Sequence, residues 1–350
     1  MKTLPYDIVI ITVRSLLPCV GAILHAAMFK QNRFVYVSQI EHRNTLILDA
    51  QTFKELPRGL VTTLSDRWKG FEIFAGSETL SKPGVVSETT SKLCSGDIPY
   101  IYVSVWTSDF VLVPAAHYHK AIGVLGSGIS LRDYGNGEEY DYEAETVTNR
   151  SLSGSSTVIA TQDIVNRDLH IGFLSRREFR LKTYELLETL FAVMDTDRTF
   201  AFGSMSYTTD YDDMSTSSYE YSPSTGIADD YYGEEDSRSV SLSMLEGTGD
   251  GDDGSRLDET LMGGITLVLD RKANDGLGLS MKEMDGWAAI RISNSNPLRP
   301  ISEPVSGTLA AVKIPILFMG TTLYDYVLVP DDKIQKATEA LGKLFESLMK

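Results

Sequence analysis

With only two cysteines in 350 residues, Cys19 and Cys94, the chain cannot carry a disulfide framework, so a reducing, intracellular setting is expected. It also lacks an unbroken apolar run of membrane length. The best candidate, Asp7 to Phe29, is interrupted by Arg14, Pro18 and His25, whereas a spanning helix needs about 20 apolar residues. A core strand followed by a core helix is expected there instead, with no membrane partner. Several chemical signatures are missing as well: no phosphate-cradling GxxxxGK[ST], no CxxC pair, no HExxH and no GxSxG. The GVLGSG run at Gly123 has the wrong glycine spacing for a dinucleotide turn. His117 and His119 belong on an exposed helix face rather than at a metal, because Lys333 and Gln335 stand at the matching places further on. The sequence therefore assigns no catalytic residue, no metal ligand and no cofactor.

Bases are scarce where acids are dense. The formal charge is −16, yet Ser206 to Thr260 holds 15 Asp and Glu against Arg238 and Arg256, and Tyr134 to Thr146 adds five acids and no base. Outside those two stretches the chain is close to neutral. The segment 206–260, with eleven Ser, six Tyr and no apolar periodicity, reads as a disordered insertion, which loop-closure entropy tolerates. SPST at Ser222 is a candidate phosphorylation site within it.

What the sequence does have is a repeat. IPYIYVSVWTSDFVLVPAAHYHKAIGVLG from Ile98 falls without a gap on IPILFMGTTLYDYVLVPDDKIQKATEALG from Ile314, and eleven of 29 positions are identical. Upstream, TLILD at Thr45 pairs with TLVLD at Thr266, Gly70 with Gly286, and MFKQNRFVYVS at Met28 more loosely with MDTDRTFAFGS at Met194. The expected fold class is α/β of the α+β kind, a duplicated β-rich unit. In each copy a strand (YDIVIIT; LHIGFLS) leads into a helix (VRSLLPCVGAIL; FRLKTYELLETL). Two strands follow (HAAMF, RFVYVSQ; LFAVM, TFAFGSMSY), then a third (TLILDA; ITLVLDR). A helical or irregular stretch and three more strands close the unit, the last two as a hairpin. Asp109 and Asp325 recur at the hairpin turn, where Asp is favoured for backbone reasons. The boundaries expected are domain 1 over 1–126, an acidic linker over 127–165 and domain 2 over 166–350. Glu78 to Asp97 and Asn294 to Lys313 read as long loops, and 331–350 as a C-terminal helix whose counterpart is Ala115 to Gly126.

This pattern resembles the DNA sliding-clamp family, the proliferating-cell nuclear antigen and its checkpoint and viral relatives. RFVYVSQIEHRNTLILDAQTFKEL, LHIGFLSRREFRLKTYELLETLFAVMDTDRTFAF and IPILFMGTTLYDYVLVPDDK carry the resemblance. It implies a non-enzymatic ring, homo- or hetero-oligomeric, in the nucleus or wherever DNA is replicated. Such a ring encircles duplex DNA without reading its sequence and tethers polymerase or repair proteins. The helices facing DNA would carry Arg14, Lys54, Arg58, Arg67, Lys69, Arg176, Arg177, Arg180 and Lys182, and partner peptides would dock on Ile40, His42, Pro315, Val329 and Pro330. A roadblock or longin-type scaffold for small GTPases, and a viral double-barrel capsid protein, are the competing readings.

Overall fold

The computed structural model describes residues 1–30, 33–41, 43–57, 59–64, 67–73, 83–105, 108–126, 160–175, 179, 181, 200–206, 264–271, 284–294, 301–321 and 324–348. The chain is a mixture of helices and antiparallel sheet. After a short strand β1 (Lys2–Thr3), the β-branched run IVIITV forms β2 (Ile8–Val13). Pro18 lies in a 3-10 turn that leads into α1 (Val20–Phe29). HAAMF, expected as a strand, is the end of this helix. An apolar run of this length without alternation suits a buried helix, and Val20, Ile23, Leu24, Ala27 and Met28 go into the core. Strands β3 (Arg33–Ile40) and β4 (Arg43–Asp49) follow as a hairpin whose turn residue Glu41 takes φ 48°, the left-handed conformation such tight turns require. Asp49 then caps α2 (Ala50–Glu55), its carboxylate accepting from the backbone amides of Gln51 and Thr52.

Strand β5 (Val61–Leu64) completes a four-stranded unit in the order β5-β2-β4-β3, the arrangement of a ferredoxin-like βαββαβ motif. A second set follows: β6 (Trp68–Ile73), α3 (Pro83–Ser95), the hairpin β7 (Ile101–Ser104) and β8 (Asp109–Pro114), and α4 (Tyr118–Gly126). The later half runs β9 (Ala160–Ser175), β10 (Phe200–Ser206), β11 (Gly264–Asp270), β12 (Met284–Asn294) and α5 (Ser302–Ala311). The hairpin β13 (Leu317–Gly320) and β14 (Asp325–Pro330) and the helix α6 (Ile334–Leu348) close it. Two stretches expected as loops are thus helices α3 and α5. Each has Pro near its start, where the missing N–H costs nothing, and each buries apolar residues one or two turns apart, Val86 with Leu93 and Val305 with Leu309. The acidic linker also ends sooner than expected, because 160–165 already belongs to β9. Residues 206–260 lie outside the described residues except Ser206, which ends β10.

Among the described residues, fourteen strands join one antiparallel sheet, β13-β14-β12-β9-β11-β10-β3-β4-β2-β6-β8-β7, with β1 on β6 and β5 on β2. Its two halves meet where β10 pairs with β3, Phe202 opposite Val37. Strand β9 serves both later units: 169–175 pairs with β11, 160–169 pairs mainly with β12, and Asp168 at φ 63° marks the change. The sheet folds back on itself. Side chains of β2, β3 and β4 pack against β7 and β8 (Ile8, Ile10, Phe34, Phe110, Leu112), and β9, β10 and β11 pack against β12, β13 and β14 (Leu169, Ile171, Trp287, Leu317, Leu328). Helix α1 covers one outer face, and α3, α4, α5 and α6 cover the other. The result is four layers, helix on sheet on sheet on helix.

Strand registers refine the repeat. Ile101↔Leu112 to Ser104↔Asp109 and Leu317↔Leu328 to Gly320↔Asp325 are the same pairing, residue for residue. However, Trp68↔Pro114 matches Trp287↔Pro330, so Trp68 corresponds to Trp287 and Gly70 does not correspond to Gly286. Likewise Val37↔Leu46 matches Phe202↔Leu267, one residue away from the expected alignment of RFVYVS, and a one-residue slip exchanges the faces of a strand.

Candidate ligand-binding site

The two chain halves touch a second time at the edge strands β7 and β13 and the helices α3 and α5. The approach is close. The Phe318 amide donates to Ser104 Oγ at 3.0 Å, and a Cβ on Gly320 would lie 2.7 Å from the carbonyl oxygen of Tyr102, so only glycine fits there. Beside this seam four side chains converge from four elements. Tyr100, just before β7, is 6 % exposed; Ser302 at the start of α5 donates its hydroxyl to Tyr100 Oη at 2.8 Å, and Cys94 Sγ of α3 lies 3.7 Å from the same oxygen.

Asp325 opens β14 on the same side. Strand alternation sends Tyr326 and Leu328 between the sheets and leaves Asp325, Val327 and Val329 facing the helices. Asp325 is half-buried as a residue, yet its carboxyl is desolvated enough for burial alone to push it up to about 6. Among the described residues no cationic side chain pairs with it. Burial, with Cys94 and Asp325 nearby, holds the Tyr100 phenol well above its usual value, and burial also raises Glu303 in the first turn of α5.

Among the described residues, the hairpin of matching register, β7–β8, lacks this set of side chains. By the register of the hairpins, Asp109 is the counterpart of Asp325 and Ile316 that of Tyr100, and the continuing sequence alignment puts Val86 opposite Ser302. Asp109 is 1 % exposed and Ile316 and Val86 are fully buried. Asp109 and Asp325 are therefore inward-facing strand residues rather than turn residues, which corrects the sequence expectation. The repeat gives no signal for Tyr100 and Ser302, because they lie where its two stretches differ.

Of the residues expected to contact DNA, Arg14, Lys54, Arg67 and Lys69 are described, and Arg67 and Lys69 meet at Asp7. Arg14 follows β2, Arg67 precedes β6 and Lys69 lies within β6, so none is on a helix; only Lys54 is, exposed on α2. Arg67 and Lys69 both bind Asp7, at 3.0 and 2.7 Å, and the pairing with Lys69 first and Arg67 second lowers the Asp7 carboxyl. Arg58, Arg176, Arg177, Arg180 and Lys182 lie outside the described residues. Of the residues expected to form a partner pocket, Ile40 is buried between the sheets, whereas Val329 is buried under the helices, on the other face. Pro315 and Pro330 are half-buried, and His42 lies outside the described residues. His117 is half-buried in a 3-10 turn and His119 is exposed on α4.

No family model matches the chain. Among solved structures it is similar to an aspartate kinase from Synechocystis, at 10 % identity over 99 % of this chain and 55 % of that one, with a TM-score of 0.32. It is also similar to a protein of unknown function from Vibrio cholerae described as a possible transport protein, at 22 % identity over 23 % of this chain and 62 % of that one, with a TM-score of 0.22. The chain thus spans about half the length of the kinase, and neither likeness is close enough to carry an argument. Among the described residues no helix is long and apolar enough to cross a membrane, and no cluster of His, Cys, Asp and Glu could hold a metal ion.

Proposed function

We propose that this protein is a non-enzymatic sensor whose two halves arose by duplication and which binds a small cationic ligand at the seam between them. One observation carries the reading: Asp325 is a desolvated carboxyl with no described counter-charge, beside an oriented tyrosine and serine and at a contact between halves. An ammonium or guanidinium group placed there would hold the carboxylate ionised, and the ligand would gain a charge-assisted hydrogen bond in a site with little competing water. Tyr100 would offer its ring to the ligand's apolar part and Ser302 would fix the phenol. Nothing in the site suggests bond-making chemistry. The test is calorimetry on the full chain with a panel of cationic amino acids and polyamines, L-glutamate serving as the anionic control. Binding by a cationic probe, weakened at least tenfold by Asp325→Asn, is the expected result. If no cationic probe binds, or the variant binds as tightly as wild type, the reading is wrong.

The sliding-clamp reading remains a second proposal, supported by the continuous antiparallel sheet with helices on its outer faces. It predicts duplex-DNA affinity that falls steeply and linearly with log salt, and DNA binding without salt dependence would contradict it.

A further inference from the structure

The strand that presents Asp325 to the helices presents its two neighbours to the opposite face. Tyr324 and Tyr326 point between the sheets and pack together, ring centroids 6.4 Å apart and nearly perpendicular. There they meet a charged cluster built from both halves. Arg291 of β12 donates to Glu41 Oε1 and to Asp163 Oδ2, both at 2.6 Å, and the Tyr326 hydroxyl donates to Glu41 Oε2 at 2.8 Å. The guanidinium groups of Arg43 and Arg291 lie 5.4 and 5.3 Å from the centre of the Tyr324 ring, within cation–π range. Glu41 is thus gripped by both carboxylate oxygens while its backbone is in the left-handed region, a conformation that costs a non-glycine residue energy and persists only when its surroundings impose it.

Among the described residues, the hydrogen bonds from β12 and β14 to the β3–β4 turn run through Arg291 and Tyr326, neighbours of Asp325 in the sheet and in the sequence. Tyr324 and Tyr326 adjoin it in sequence, and Arg291 lies on β12, paired with β14 at Arg291↔Tyr326 and Ile292↔Asp325. We propose that this cluster is a latch that reports occupancy of the Asp325 site, on the other face of the same strand, to the β3–β4 turn of the first half. The inference rests on the ligand-binding reading above. A ligand drawing the Asp325 carboxylate toward the helices tilts β14, and the strand turns Tyr324 and Tyr326 with it. The strained turn, held by two hydrogen bonds from Arg291 and Tyr326, is the place where a small tilt has a large consequence. Released from those two bonds the turn would have a second state to occupy, which such coupling needs. The turn lies at the end of β3, the strand that pairs with β10, so its state bears on the junction of the halves.

Hydrogen exchange at residues 40–44 of the full chain tests this. In wild type, saturation with whichever cationic probe binds in calorimetry should change exchange there at least threefold. In Arg291→Ala the probe should still bind, its Kd within about threefold of wild type, but the change at 40–44 should vanish. Asp325→Asn without any ligand supplies a probe-independent arm, because neutralising the carboxyl should itself shift exchange at 40–44 by twofold or more. If the wild type binds the probe with no change at 40–44, or Arg291→Ala keeps the full response, the latch is refuted while the binding site stands. If no cationic probe binds, the binding reading fails and the Asp325→Asn arm alone decides whether the two faces of β14 are coupled.

Discussion

The hairpins β7–β8 and β13–β14 hold the same register, residue for residue, but they do not hold the same company. Around Asp325 stand a tyrosine and a serine joined by a hydrogen bond; around Asp109 the corresponding places are isoleucine and valine. A second difference lies on β12, where Arg291 stands at the place that Glu72, 1 % exposed, occupies on β6. Glu72 accepts from the Ser108 hydroxyl at 2.7 Å within its own half, whereas Arg291 reaches across to Glu41 of the other. Backbone pairing and the apolar stripe are what make the hairpin, so both copies keep them. The residues that meet the opposite half are not bound by that pairing, and around β13–β14 they are polar.

The shared part of that comparison breaks most visibly in the core. Leu112 and Leu328 occupy the same place and both are fully buried. Truncating either to Ala should cost about 2–5 kcal/mol, as large-to-small changes in tight cores do, and the two losses should agree within about 1 kcal/mol. Urea denaturation checks this; a much cheaper Leu328→Ala would mean that the hairpins match in register but not in packing.

Next in size is the pair Gly320 and Ser104, again the same place in the two hairpins. A methyl on Gly320 would press on the Tyr102 carbonyl, so Gly320→Ala should cost about 1–3 kcal/mol by overpacking. Ser104→Ala should cost somewhat less, about 1–2 kcal/mol, by taking the acceptor from the buried Phe318 amide. Thermal unfolding of the two variants should keep this order, and the reverse would place the tight approach elsewhere.

Asp325 sharpens the comparison through pH. Its carboxyl is raised in the folded chain to about 6 from an ordinary 3.8. The native state therefore binds more protons than the unfolded state between those values, and stability contributed by this group is present below about pH 4 and lost as pH rises through about 6. Asp325→Asn should remove that loss, gaining on the order of 1–3 kcal/mol at pH 7 and flattening the denaturant midpoint between pH 4 and 7. A midpoint profile unchanged by the substitution would show the carboxyl to be well solvated.

The sequence made the hairpins legible because β-branched and aromatic alternation, a Pro at each end and an offset without gaps all agreed there. It misplaced α3 and α5 because their buried faces are made partly of small polar residues, Thr89, Thr90, Ser302 and Ser306, which do not register as apolar period. HAAMF misled for the opposite reason, being apolar on every side and so compatible with either element. Asp325 reads equally well as a turn residue, since nothing local tells a strand's first residue from the turn before it. Which helix would lie over it depends on how the sheet folds back, a long-range matter that no window contains. Residue type alone does not place a basic side chain: Arg67 and Lys69 share Asp7, sixty residues away from Arg67 along the chain.

The finest distinction between the two seams is a single hydroxyl. In Tyr100→Phe the ring still fills its place, but the Ser302 hydroxyl, on a residue only 2 % exposed, loses the acceptor it reaches at 2.8 Å. The expected cost is about 1 kcal/mol, that of one neutral hydrogen bond with its partner left buried. Ser302→Ala should cost a similar amount, and the double variant hardly more than either, because the two changes delete the same bond. A double-mutant cycle at pH 7, read from denaturant midpoints, would give a coupling of about 0.5–1.5 kcal/mol. Additive losses would mean that the two groups contribute separately, and Tyr100 would then be free to turn its hydroxyl toward Asp325 and whatever binds there.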